Sequence, residues 1–392
     1  MLNTPFSPWP SFTEEEAEAV KRVLLSNKVN YWTGQECREF EKEFAAWCHT
    51  EHAIALANGT VALDLALKAL CIGPGDDVIV TPRTFLASAS SIVNAGARPI
   101  FADVDLDSQN ITAETIRAAL TPNTRAVICV HLAGWPCEMD PIMELAKEKG
   151  FYVIEDCAQA HGAKYKGRPV GGIGHIGAWS FCQDKIMTTG GEGGMVTTND
   201  RALWSKMWSY KDHGKSWDAV YERQHPPGFR WVHDSFGTNW RMIEMQAVIG
   251  RIQLKRMNSW TASRQANAAA INKIVSQFPS VRLPTIPAYV EHGEYKHYIF
   301  VRPENLAAGW TRDRIVDDIQ AQGVPCYQGS CSEVYLEKAF DGTNLRPSRR
   351  LINAVTLGET SLMFLVHPTL REAEIRKTQE ALAATLERAS LR

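Results

Sequence analysis

Lys185 is the side chain in this sequence that is best placed to do chemistry. It follows an apolar segment at 179–182 and precedes the glycine-rich stretch IMTTGGEGGM at 186–195. Desolvated lysine amines are good nucleophiles toward carbonyl groups, because burial disfavours their charged form. Glycines beside such a lysine let the backbone pass close to a ligand. The alternative interpretation is a surface lysine that follows a strand.

Other candidate residues come directly after predicted strands, and each has two interpretations. Asn58-Gly59-Thr60 opens a helix whose N-terminus could bind a phosphate, or it is only a cap. Phe85 could stack on a flat ring or belong to the core. Asp156 could pair with a protonated pyridine nitrogen or cap the next turn. Ser180, five residues before Lys185, could add a hydroxyl group to the phosphate site.

Taken in order, these residues offer a phosphate site, a stacking aromatic ring, an acid and a lysine. This is the set that pyridoxal 5'-phosphate (PLP) requires, and we predict that Lys185 forms a Schiff base with its aldehyde. The coincidence of the four features favours this hypothesis over the separate structural interpretations.

The elements that must position these residues form an α/β pattern. Helices are predicted at 13–25 and 37–48. Strands at 53–57, 77–81, 99–105, 126–131, 151–155 and 194–198 then alternate with helices at 61–70, 85–95, 112–120, 139–149 and 201–211. This alternation predicts a mostly parallel sheet sandwiched by helices, with ligands at the carboxyl ends of its strands.

The remaining chain predicts a long loop and a second domain. The segment 212–240 has no periodicity, and helices follow at 242–257 and 259–278. Strands at 295–301 and 361–366 with helices at 312–322 and 370–389 predict a smaller α+β domain. With 392 residues, two domains are expected, and we place the large one at 1–255 and the small one at 256–392.

Composition excludes several classes of protein. The net charge of -2 gives no basic surface for nucleic acid or an anionic membrane. The nine cysteines form no C-x-x-C pair, so no metal site is predicted, and the odd count suggests reduced thiols in the cytoplasm. We expect no signal peptide and no membrane span. A dehydrogenase is disfavoured because no G-x-G-x-x-G follows the first strand of the sheet.

Several ordered motifs resemble the DegT/DnrJ/EryC1/StrS family of PLP-dependent sugar aminotransferases, which has the aspartate aminotransferase fold (fold type I). The resemblance covers nearly the whole chain. It is carried by FEKEFA at 40–45, NGTVAL at 58–63, TFLA at 84–87, EDCAQAHG at 155–162, SFCQDK at 180–185, GTNWRM at 237–242 and the segment 361–368.

The resemblance implies a role for each matching residue. Lys185 matches the Schiff-base lysine, Asp156 the partner of the pyridine nitrogen and Gln159 the neighbour of the ring hydroxyl. Phe85 matches the stacking aromatic residue. The residues that match phosphate contacts are Gly59, Thr60, Ser180 and, from the other subunit of a homodimer with shared active sites, Asn239. Arg241 is expected to help hold a substrate carboxylate.

Two departures from the family pattern bear on the substrate. Cys326 precedes Tyr327 at a position where histidine is common, and Tyr31-Trp32 fill a loop that is often smaller. We expect Tyr31, Arg241 and Tyr327 to be substrate contacts, and the two departures to change substrate specificity rather than the reaction.

The resemblance implies ping-pong transamination through an internal aldimine. L-glutamate would donate the amino group, and a keto-deoxysugar linked to a nucleotide diphosphate would accept it. Sugar dehydration is disfavoured, because dehydrating relatives replace the lysine with histidine. Two alternatives stay open: an aminotransferase for a cyclitol or another keto substrate without a nucleotide, and a PLP-binding regulatory relative without catalytic activity.

Overall fold

The computed structural model describes residues 5–391. The helices are α1 (Glu14–Leu25), α2 (Glu36–Trp47), α3 (Gly59–Ala69), α4 (Ala87–Asn94), α5 (Ala113–Ala119), α6 (Met139–Lys149), α7 (Arg201–Tyr210), α8 (Trp217–Tyr221), α9 (Glu244–Leu254), α10 (Met257–Val275), α11 (Arg312–Ala321), α12 (Ile352–Thr360) and α13 (Glu372–Ala389). None of the helices in this range is both long and apolar enough to cross a membrane.

The strands fall into three sheets. They are β1 (His52–Leu56), β2 (Asp77–Val80), β3 (Arg98–Phe101), β4 (Thr124–Val130), β5 (Tyr152–Asp156), β6 (Lys164–Tyr165), β7 (Arg168–Pro169), β8 (Ile176–Ser180), β9 (Gly194–Thr198), β10 (Val281–Arg282), β11 (Val290–Glu291), β12 (His297–Val301), β13 (Cys326–Tyr327) and β14 (Ser361–Phe364). The sheet orders are β1-β9-β8-β5-β4-β2-β3, β10-β12-β14-β13 and β11-β6-β7.

The seven-stranded sheet confirms the predicted α/β class. Its strands β3, β2, β4, β5 and β8 run parallel, and β9 pairs antiparallel with both β8 and β1. Strands β2 and β5 are buried along nearly their whole length and are rich in Val and Ile. This composition is typical of parallel strands that are covered on both faces.

Strand β12 joins two hydrophobic cores. Tyr298 and Phe300 belong to the cluster on one face of the large sheet, whereas Ile299 and Val301 belong to the core of the four-stranded sheet. Alternate side chains of a strand point to opposite faces, so this short strand contributes to both cores. The second core otherwise consists of buried residues between 268 and 389, in the region predicted as the small domain.

The predicted strand at 99–105 and helix at 85–95 are both shorter in the structure. Strand β3 ends at Phe101 because Asp103 turns to accept the backbone N–H groups of Asn353 and Ala354, both at 3.0 Å, and so caps α12. Helix α4 begins at Ala87, which leaves Phe85 in the preceding loop. Helices α8 and α12 and the three-stranded sheet were not predicted.

Candidate active site

The close approach of α3 to the end of β8 forms a site suited to an anion. A Cβ atom on Gly59 would lie 2.5 Å from the Cβ of Ser180, so only glycine fits there. Asn58 caps α3 by accepting the N–H of Val61 at 3.0 Å. The first N–H groups of the helix, including those of Gly59 and Thr60, have no partner within the helix and lie at its positive end. They lie beside the hydroxyl-bearing Ser180.

Asp156 ends β5 and is buried at the same edge of the sheet. Its carboxylate accepts a hydrogen bond from the Ser88 hydroxyl at 2.8 Å and one from the N–H of Ala158 at 3.2 Å. Burial raises the pKa of Asp156, and these two bonds and the positive charge of Lys185 counteract that rise only in part. A buried carboxylate of this kind is stabilised by a cationic partner.

Gln159 and Phe85 present unused groups near this edge. The side-chain oxygen of Gln159 accepts the N–H of Ala133 at 2.8 Å, which fixes the amide and leaves its nitrogen without a hydrogen bond in residues 5–391. The ring of Phe85 is 72% exposed in the loop after β2. An exposed aromatic face and a free amide donor are groups that a flat, polar cofactor can use.

Lys185 lies in a turn after β8, with its side chain 17% exposed. Its amine lies 5.3 Å from the centre of the Tyr295 ring and 3.9 Å from a carboxylate oxygen of Asp184. The Tyr295 hydroxyl in turn donates to Asp184. The structure thus holds the amine near the ring of Tyr295, in the segment that leads into β12. Tyr295 was predicted only as a strand residue, and its spacing gives no signal of this contact.

Register along the sheet brings these groups together. Asp156 pairs with Ala178 across β5 and β8, which places it two residues from Ser180. Ser180 touches Gly59 and lies five residues before Lys185. Gly59, Asp156, Ser180 and Lys185 therefore share one end of the sheet, as the order of the motifs predicts.

The segment that carries Asn239 and Arg241 runs beside the start of α3. The carbonyl of Trp240 accepts the N–H of Ala57 at 2.9 Å. Asn239 is exposed, and Arg241 forms an ion pair with the buried Asp212 at 2.5 Å. Arg241 is thus close to the anion site, and a substrate carboxylate would have to share it with Asp212.

The structure does not support a substrate contact by Tyr31. Tyr31 is 2% exposed, its hydroxyl donates to Glu41 at 3.2 Å, and the amine of Lys211 lies 3.4 Å from its ring centre. These contacts pack the residue into a hydrophobic core of the large domain that also contains Phe40 and Phe44, so we assign it a packing role. A loop sequence does not reveal such burial, because it depends on α2 and α7 folding over the ring.

Tyr327 and Cys326 face opposite ways on β13. Tyr327 is 42% exposed, which leaves it available to a ligand. Cys326 is fully buried in the small core, so the cysteine does not contact a substrate. The departure from the family pattern at this position is therefore a change in packing.

His131, Glu155 and Cys157 lie close enough to be considered as metal ligands. However, His131 accepts the N–H of Cys137 at one ring nitrogen and hydrogen-bonds Glu155 at the other, both at 3.0 Å. Since both ring nitrogens are thus occupied, we interpret the group as a hydrogen-bonded cluster.

The comparisons with known proteins agree with this geometry. The family model of the DegT/DnrJ/EryC1/StrS aminotransferases matches residues 10–383. The chain belongs to this family. The predicted resemblance and the aminotransferase class are thereby confirmed.

Three relatives cover nearly the whole chain. The dTDP-3-amino-3,4,6-trideoxy-alpha-D-glucose transaminase of Streptomyces venezuelae is 34% identical over 95% of this chain and 93% of its own. The UDP-N-acetyl-3-dehydro-alpha-D-glucosamine 3-aminotransferase of Acidithiobacillus ferrooxidans is 35% identical over 98% and 96%. A crystal structure of an aminotransferase from Psychrobacter cryohalolentis is 64% identical, with a TM-score of 0.95 over 97% of this chain and 98% of that one. The fold is that of the family's PLP-dependent aminotransferases, fold type I, as predicted.

Proposed function

We propose that this protein is a PLP-dependent aminotransferase that moves an amino group from L-glutamate to a keto group of a nucleotide-linked deoxysugar. The observation that carries the proposal is the convergence of Lys185, the buried carboxylate of Asp156 and the Gly59–Ser180 contact at one end of the sheet. Membership of an aminotransferase family supports it.

The residues at this end fit PLP. The N-terminus of α3 and the Ser180 hydroxyl would hold the phosphate. Asp156 would hold the ring nitrogen in its protonated state, and the free amide nitrogen of Gln159 would donate to the ring hydroxyl. Phe85 would cover one face of the ring. When bound, PLP supplies the electron sink that makes the α-proton of an amino acid removable.

Lys185 has two proposed tasks. Its amine would hold the aldehyde of PLP when no substrate is present, and it would move a proton at the reacting carbon once a substrate has displaced it. The contact with Tyr295 limits the directions that the amine can take. We propose that the donor and the acceptor use the same site in turn, which is the ping-pong order.

The substrate side of the proposal draws on the named relatives. The two curated relatives above are named for dTDP- and UDP-linked sugars, so a nucleotide-linked sugar is the proposed acceptor and the nucleotide stays open. Arg241 and Tyr327 are the proposed substrate contacts. We also propose that Asn239 reaches the phosphate site of a second subunit, because it is exposed on a long loop.

The test is the visible absorption of the PLP-loaded protein before and after addition of L-glutamate. We expect a yellow protein that bleaches with L-glutamate, and no such band in Lys185→Ala. The control variant is Lys296→Ala, because Lys296 flanks the same Tyr295 ring, with its amine 4.8 Å from the ring centre. Loss of the band in Lys296→Ala but not in Lys185→Ala would mean that Lys296, and not Lys185, binds the cofactor. No uptake of PLP by the wild type would refute the proposal.

The acceptor is tested separately with the bleached protein. Return of the yellow colour with a dTDP- or UDP-linked keto sugar, and not with a cyclitol ketone, supports the proposed substrate class. The opposite result would favour the non-nucleotide alternative. A protein that binds PLP but is not bleached by any amino donor would favour the regulatory alternative.

A further inference from the structure

The N-terminal arm, defined as residues 5–11, lies against the small domain. The backbone N–H of Ser7 donates to the buried Glu374 of α13 at 2.6 Å. The carbonyl of Pro8 accepts the hydroxyl of Thr369 at 2.8 Å. These bonds fix the position of the residue that follows, Trp9.

The ring of Trp9 is enclosed by side chains from the same domain. Trp260 of α10 packs edge-on at 5.0 Å between ring centres, and His367 lies nearly parallel at 5.9 Å. The guanidinium of Arg264 lies 5.0 Å from the Trp9 ring. Arg264 is itself 2% exposed and donates to the backbone carbonyls of Glu294 and Tyr295, both at 3.3 Å. The ring is therefore held rigidly.

The polar edge of this ring reaches the turn that carries Lys185. The indole N–H of Trp9 donates to the backbone carbonyl of Lys185 at 2.8 Å. The N–H of Lys185 donates to the carbonyl of Cys182 at 3.0 Å, and the next residues, Ile186 and Met187, are fully buried. The backbone on both sides of Lys185 is thus fixed, and Trp9 supplies the constraint on the carbonyl side from the arm that packs against the small domain.

We propose that Trp9 is a positioning residue for Lys185. Its indole N–H orients the peptide group of Lys185, and so sets the direction in which the side chain leaves the backbone. Reactions of a bound group depend steeply on such orientation, which calls for support around the reacting residue. The inference rests on the proposed function only in that it gives this amine a reaction to perform.

Trp9→Phe is the variant that tests the bond. Phenylalanine keeps an aromatic ring between Trp260, His367 and Arg264 but has no N–H for the Lys185 carbonyl. The matched control is Trp260→Phe, which alters the packing of the Trp9 ring and leaves the bond in place. Thermal unfolding of both variants without cofactor shows whether they fold.

Two measurements on these variants give the outcome. In the PLP-loaded protein, we expect Trp9→Phe to lower kcat about five- to tenfold, the worth of one hydrogen bond, with little change in KM, and to shift the pH midpoint of the visible band. In the protein without cofactor, we expect an amine-acylating reagent to label Lys185 at a changed rate relative to Lys296, measured by peptide mass spectrometry. Trp260→Phe should change neither quantity.

Two results would overturn the inference in a wild type that takes up PLP, and a third applies if it does not. One is a Trp9→Phe variant that matches the wild type in both measurements. Another is an equal change in Trp260→Phe, which would assign the effect to packing. If the wild type takes up no PLP, the proposed function fails by itself. In that case unchanged labelling of Lys185 in Trp9→Phe also overturns the present inference.

Discussion

Two neighbouring carboxylates at the end of β5 have opposite surroundings. Glu155 is fully buried, and its oxygens accept hydrogen bonds from His131 and from the backbone N–H groups of Gly171, Ile173 and Gly174 at 2.6–3.0 Å. Burial raises the pKa of Glu155, but these bonds outweigh it and the pKa is lowered. Asp156 has fewer donors and a raised pKa. The first carboxylate is committed to the fold, and the second is available to a ligand.

His161 is another buried ionisable residue of this region. It is fully buried between Trp179 and Phe181, with ring centres 5.2 and 5.6 Å away, and neither ring nitrogen has a partner among the described residues. Burial, together with the positive charges of Lys185 and Arg264, lowers the pKa of His161 to about 3. The folded protein therefore holds a neutral imidazole here.

We predict that His161→Phe makes folding less sensitive to acid. The unfolded chain binds a proton at this histidine below about pH 6.5, whereas the folded chain does so only near pH 3. Stability is therefore lost as the pH falls through this window, by about 2 kcal/mol at about pH 5. Urea unfolding at about pH 7.5 and about pH 5 should show a smaller difference in the variant. The exposed His233→Gln is the control, and equal acid sensitivity in His161→Phe and the wild type would contradict the prediction.

At the scale of elements, the contact between α3 and β8 forms the proposed phosphate site. We predict that Gly59→Ala weakens PLP binding at least about tenfold, because its Cβ would push the helix away from Ser180. Titration with PLP, followed by fluorescence quenching, measures the effect.

Gly73→Ala provides the control for this experiment. The nearest atom to its added Cβ is the carbonyl oxygen of Ala95 at 3.6 Å, an ordinary contact. Unchanged affinity in Gly59→Ala would mean that α3 and β8 do not hold the phosphate.

The longer elements could be predicted because their periodicity is local. The boundaries predicted for α6 and β9 are those observed. Strands of two residues, such as β6 and β13, are too short to show any alternation and were missed. At the candidate site, the shared location of Asp156 and Lys185 could be predicted, because parallel strands bring their carboxyl ends to one edge of a sheet, whereas their roles stay predictions.

Tertiary contacts account for what the sequence could not predict. Three such contacts join residues that are distant in sequence: Lys211 packs on the ring of Tyr31, Tyr295 contacts Lys185, and Trp9 donates to the Lys185 carbonyl. Glu155 and Asp156 are neighbouring carboxylates, and their different surroundings arise only when the turn at 171–174 folds and donates hydrogen bonds to Glu155.

At the scale of the whole molecule, the loop 212–240 presents an apolar surface. Phe229, Trp231 and Phe236 are 73%, 75% and 99% exposed, on the same loop as Asn239. Exposed aromatic residues in such number are typical of a protein interface. The predicted homodimer, with Asn239 reaching a second active site, would cover them.

We predict that the double substitution Trp231→Glu with Phe236→Glu weakens self-association. Charged side chains cannot be buried at an apolar interface without a large cost. Light scattering coupled to size exclusion should give twice the monomer mass for the wild type and a lower mass for the variant. Ile352→Glu, at a residue of α12 that is also 73% exposed, is the control. A monomeric wild type would contradict the prediction.

The shared strand β12 has a consequence for how the protein unfolds. Because Tyr298 and Phe300 complete one core while Ile299 and Val301 complete the other, neither core can be exposed to water without loosening the other. A fragment cut at the predicted boundary of 255/256 would leave an apolar face bare on each side. We therefore expect the two predicted domains to be coupled thermodynamically and the chain to unfold as one cooperative unit.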